Sequence, residues 1–264
     1  VLNPYGKILQ VFMVWRWFFA LFLFCIHLES EAWTSKTYQL VVVKSNRLMP
    51  VSFKNIMLQH QEEILGACLR PDELPESEHT YNIEKRSGYL MEQLTKLSAK
   101  VPKDIYNHVP FKKVAEDFGR MAHYIADLND PLILSDKDSR EDQYRADFAI
   151  YLEKNSDLFP WIFDGHEPSL LNQPTEEEYL HQIAVNAVEK YSLLGDSYFP
   201  NGVLVSSDTF DPRSLPFGIA SLTYSRSISH TVQFWFYTWK KAHGDTTWTP
   251  FHSKGKTKMK KEKQ

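Results

Sequence analysis

His123 and Asp127 stand four residues apart in the stretch GRMAHYIADLNDPL (119–132). On a helix that spacing puts an imidazole and a carboxylate one turn apart on the same side, where both can bind one metal ion. A helical wheel sets the pair off the apolar face, beside Glu116 and Arg120, so a solvated helix face is the competing expectation. Gly119, one turn before His123, would leave room for a ligand. Asp72 and His79 form a second acidic–imidazole pair in the Pro-rich stretch RPDELPESEH (70–79), with an exposed acidic loop as the plain alternative. There is no His-Glu-x-x-His, no Cys-x-x-Cys, no Gly-x-Ser-x-Gly and no phosphate-cradling glycine loop.

The elements that must carry these residues read mostly as helices. Phe111, Val114, Ala115, Phe118, Ala122 and Ile125 make one apolar face over 110–128. Over 175–194, Thr175 and Glu178 form a capping box and Gly195 suits the position after the last turn. Segment 214–242 starts with Ser214 as N-cap and Pro216 in its first turn. Segments 82–98 and 140–154 are also expected to be helical. The short run TYQLVVV (37–43) is ambiguous, and its β-branched residues favour a strand. With no internal repeat and no Gly/Ser-rich linker, the expected fold is a single all-α domain over 33–253.

The two ends look different. Residues 13–32 have the pattern of a signal peptide, with Arg16 ahead of an apolar run and Ser30-Glu31-Ala32 as a small-x-small cleavage site. Residues 1–12 read as an upstream extension, and cleavage after Ala32 would leave Trp33 as the mature N-terminus. Cys25 would leave with the signal, so Cys68 is expected to be unpaired. The tail 254–264 carries +5 and reads as a disordered lysine-rich segment, with anionic lipid or nucleic acid as an alternative partner. Taking that +5 from a net −3 leaves −8 on the body, since charges in 1–32 cancel. The balance does not mark a nucleic-acid binder.

The order of the pieces is more specific than any one of them. Trp33-Thr-Ser-Lys-Thr-Tyr38, then GACLRPD (66–72), His79, GRMAHYIADLNDPL, FAIYLEKN (148–155) and FDPRSLPFGIASLTYSRSISHTVQFWFYTW (210–239) follow in series. This series resembles the bacterial zinc-dependent phospholipase C family, which shares an all-α fold with S1/P1-type nucleases. The resemblance runs from Trp33 to about Lys241. It implies a cluster of three zinc ions that hydrolyses phosphodiesters.

The carry-over is uneven. For one zinc site the resemblance implies Asp72, His79, His123 and Asp127 as ligands, with Asp72 also the catalytic residue. For a second it implies Trp33, through its free amine and carbonyl, and Asp127 as a bridge; where the family has a histidine, this chain has Tyr38. The third site is lost, since Ile133, Arg145 and Ala149 occupy its ligand positions. Arg145 cannot ligate a metal, but its fixed charge could bind a phosphate. One zinc is expected, two are compatible with the retained residues, and a third is not expected.

Two functions follow from this pattern. The first is an exported, monomeric zinc-dependent phosphodiester hydrolase of the phospholipase C type. Its substrate would be a phospholipid before a nucleic acid, with peripheral membrane contact. The second is a catalytically inactive relative that keeps a zinc or a ligand.

Overall fold

Residues 33–73, 79–132, 138–163, 165, 176–247 and 249 are described by a computed structural model, with backbone only at Asp72, Glu73 and Tyr191. The α-helices among them are α1 Ser35–Leu48, α2 Val51–Gln59, α3 Gln61–Ala67, α4 Tyr89–Tyr106 and α5 Phe111–Asn129. They continue as α6 Arg145–Asn155, α7 Glu176–Val188, α8 Tyr191–Tyr198 and α9 Leu215–Lys241. The only β pairing among the described residues is an isolated bridge between Asn82 and Ser87. The described residues form an all-helical domain, and none of the helices among them is long and apolar enough to cross a membrane.

The expected strand at 37–43 is instead the middle of α1. Thr34 caps that helix by accepting from the Thr37 N–H. Tyr38, Val41, Val42, Ser45 and Leu48 are among its buried residues, mostly three or four apart. That stripe is helical, and seven residues were too few to reveal it. Helix α4 starts at Tyr89 rather than at 82, because Asn82–Ser87 closes a turn first. Gly195 lies inside α8 and ends no helix. Thr175 lies outside the described residues. Ser214 does cap α9, accepting from the Phe217 N–H, with Pro216 in the first turn.

Helix α5 is the axis of the fold. Helices α1, α3, α4, α7 and α9 all pack on it. From Met121 to Asn129 every residue is buried, so its last two and a half turns have no solvated face. Aromatic packing fixes α9 to α5 and α2: Phe53 meets Phe118 edge-on at 4.9 Å, and Trp235 touches both. The Trp235 indole N–H donates to the Phe118 carbonyl at 3.0 Å, satisfying the one polar atom of a fully buried ring. Gly119 sets the distance to α3, since a Cβ there would collide with the Ile64 carbonyl oxygen and approach Cys68 N to 3.1 Å. The space beside Gly119 is therefore filled by helix backbone and not by a ligand.

Candidate metal centre

The burial of α5 overturns the solvated-face alternative for its polar pair. His123 and Asp127 are both fully buried. An unpaired carboxylate in such a place would cost several kcal/mol, on the order of a lost buried ion. It must have strong partners: His123, His79 and Tyr38 supply them, and two backbone carbonyls orient the imidazoles.

The end of α3 supplies the first. A helix C-terminus leaves carbonyls unsatisfied within the helix and carries partial negative charge. The Cys68 carbonyl, just past α3, accepts from His123 Nδ1 at 2.7 Å. The following 3-10 turn, Arg70–Glu73, supplies the second: the Pro71 carbonyl accepts from His79 Nε2 at 2.9 Å. Because a carbonyl oxygen only accepts, each of those ring nitrogens carries its proton. A metal ion would therefore meet the other nitrogen of each ring. His123 turns Nε2 and His79 turns Nδ1 toward Asp127 Oδ2, at 3.3 and 2.8 Å, where the ionised carboxylate can only accept and a metal ion would take the place of the shared proton. Burial alone would raise the Asp127 carboxyl, but His123 and His79 outweigh it and hold it well below the usual carboxylate range.

Tyr38 takes the other carboxylate oxygen. Its hydroxyl donates to Asp127 Oδ1 at 2.6 Å. Its ring lies on the His123 imidazole, 4.0 Å between centroids and 15° apart in plane. Trp33 stacks on the outer side of Tyr38 at 5.9 Å. All three rings are at most 1% exposed, so one side of the cluster is closed by a dry aromatic ladder. The His79 side chain is 12% exposed, which leaves that side as the more open one.

Taken together, one ligand atom from each of His79, His123 and Asp127 lies within 4.8 Å of the others, a group able to hold a metal ion. The donor set fits zinc, with two imidazole nitrogens and one carboxylate oxygen. So does the support, since each imidazole's second nitrogen is fixed by a backbone carbonyl. Ligand atoms on a tetrahedral zinc lie about 3.3 Å apart. His123 and Asp127 already have that separation, and His79 stands closer to Asp127, at 2.8 Å.

The remaining family positions divide. The Asp72 side chain and all of Ile133 lie outside the described residues. Arg145 opens α6 and pairs with the buried Glu141, so its charge is compensated inside the protein instead of standing ready for a phosphate. Ala149 is buried one turn further on. Asp130 is buried near this pair. Its Oδ1 accepts from the Leu132 N–H at 2.8 Å, while Oδ2 has no hydrogen-bond partner among the described residues. Burial pushes its carboxyl up to about 7, against the pull of the Leu132 N–H and Arg145.

Some of these contacts were beyond sequence reading. Neither the Cys68 and Pro71 carbonyls nor Glu141 carries any motif of its own. For Tyr38 the signal existed, as the replaced histidine, but not its use as a donor to Asp127.

No family model matches the chain, and no curated protein matches it by sequence. Solved structures do. An alpha-toxin from an avian strain of Clostridium perfringens superposes with a TM-score of 0.61 at 12% identity. The match covers 79% of this chain and 64% of the toxin. The alpha-toxin of Clostridium absonum gives 0.58 at 15% identity, covering 78% of this chain and 63% of its own. This chain shares the fold of the alpha-toxins. The expected all-α phospholipase C-like architecture is therefore found, while the chain spans a little under two thirds of the length of either toxin.

Proposed function

We propose that the protein is a metal-dependent phosphodiester hydrolase of the phospholipase C type that works with one zinc ion, held by His79, His123 and Asp127. The observation that carries this reading is the pair of imidazoles, each anchored by a backbone carbonyl and aimed at one carboxylate oxygen. Three side-chain ligands are the usual number for a zinc that keeps a position open for water or substrate. Zinc bound there supplies a hydroxide near neutral pH and a Lewis acid for a phosphoryl oxygen. The chain's own groups do the rest. The Cys68 and Pro71 carbonyls hold the imidazoles in the ligating tautomer. Tyr38 fixes the Asp127 carboxylate, and the Trp33–Tyr38 stack excludes water from one side. By the family resemblance Asp72 is the acid–base group, and as a fourth ligand it would require the zinc to expand to five-coordination to keep a position for water. A phospholipid is the favoured substrate, because a body of net −8 has little to attract a polyanion. Export with cleavage after Ala32, monomeric state and peripheral membrane contact belong to the same reading.

A second reading is favoured by two observations: Tyr38 occupies the carboxylate oxygen that a second metal would use, and Arg145 is neutralised by Glu141. It is a non-catalytic relative that keeps one ion and binds a ligand. The two readings part on one preparation, the protein starting at Trp33 with no tag before it. Native mass spectrometry counts zinc, and p-nitrophenylphosphorylcholine reports hydrolysis. One zinc per chain with turnover that His123→Ala abolishes supports the hydrolase. One zinc without turnover supports the binder, and no zinc sinks both.

A further inference from the structure

Helices α1, α2 and α3 line a half-open cavity of about 420 Å³. Its size falls in the range of small-molecule sites. Val42, Met57, Ile64 and Leu65 give it apolar walls, and Leu58 at its edge is 53% exposed. Its charged groups are of one sign, with the amides of Asn46 and Gln61 beside them. Arg47 and Lys54 both line it, and no aspartate or glutamate does. Neither cation has an ion pair among the described residues. In a body of net −8, two such cations beside one apolar hollow stand out. Asn46 also lines the cavity, and its Oδ1 is buried without a hydrogen-bond partner. A carboxamide can turn to present either its oxygen or its two N–H donors.

We propose that this cavity binds a single-chain anionic amphiphile. The acyl chain lies along Val42, Met57, Ile64 and Leu65. The acidic head, a carboxylate or a phosphate, meets Arg47 and Lys54, with the Asn46 amide as a further donor. Apolar walls supply the attraction for the chain, and the two cations select the charge through charge-assisted hydrogen bonds. The site is separate from the metal cluster and does not depend on the proposed hydrolysis.

Calorimetric titration of the full chain tests it with three ten-carbon probes: decanoate, decyl phosphate and neutral decanol. One decanoate or one decyl phosphate per chain is expected, and the tighter of the two identifies the head group. Decanol should bind at least about tenfold more weakly. The double variant R47E/K54E reverses both charges and should lose about tenfold or more in affinity for the anionic probes. Leu65→Trp, checked for helicity, should block all three. Binding should persist after EDTA treatment and in His123→Ala. Equal binding of decanol and decanoate, an unchanged R47E/K54E variant, or loss of binding with EDTA would each overturn the proposal.

Discussion

The hydroxyl of Tyr38 is 2.6 Å from Asp127 Oδ1, and its ring lies flat on the imidazole of His123. One side chain thus steadies two members of the cluster, by a hydrogen bond and by stacking. Tyr38→Phe keeps the stack and removes the bond. The buried carboxylate then has one oxygen without its donor, which costs about 1–3 kcal/mol. Denaturant unfolding should show that loss, with the zinc count still one. A Phe variant as stable as the parent would mean that the hydroxyl contributes nothing.

The Arg145–Glu141 pair is largely buried on both sides, at 11% and 5% side-chain exposure. Removing one member takes a counter-ion from a charge held inside the protein. Arg145→Ala is expected to lower stability by about 3–5 kcal/mol. The apolar double replacement R145M/E141L should recover most of it, because no charge is left unpaired. If both variants unfold at the same denaturant concentration, the pair is not what holds this corner.

Asp130 gives a pH dependence whose sign can be worked out. Its carboxyl titrates higher in the folded protein, at about 7, than in the unfolded chain. A group raised in this way contributes stability that is complete below the unfolded value near 4 and is lost as pH rises through about 7. Asp130→Asn keeps the shape and removes the titration. Between pH 4 and 7 the parent should lose a few kcal/mol that the variant retains, at roughly 1.4 kcal/mol for each pH unit crossed in that interval. Parallel stability curves for the two proteins there would show that Asp130 does not titrate in that range.

Helices α5 and α9 were legible because their apolar residues recur over five or more turns and Ser214 marks a start. Helix α1 was not, since a window of β-branched residues hides a stripe that needs fourteen residues to appear. Helices α2 and α3 are too short to show a period, and they were missed. The site is a sharper case. A helical wheel ranks side chains by apolarity and so turned His123 and Asp127 toward water. In fact α5 is enclosed on all sides over its last turns, and the polar face is the one that α3 and Tyr38 cover. Only the order of motifs along the chain pointed to a grouping of His79 with His123 and Asp127. The partners that lock the imidazoles are main-chain carbonyls, which any residue type could offer, so no composition or spacing could reveal them.

Helix α3 approaches α5 so closely at Gly119 that backbone meets backbone, and one turn later the Cys68 carbonyl reaches His123. The separation of two helices is thereby converted into the angle of an imidazole. A single methyl group at residue 119 would act as a wedge, and its effect would be felt first as a misdirected lone pair several ångströms away. The aim of the centre is then a mechanical property of an interface that contains none of its ligands on one side, and it can be spoiled at a position that no inventory of binding residues would include.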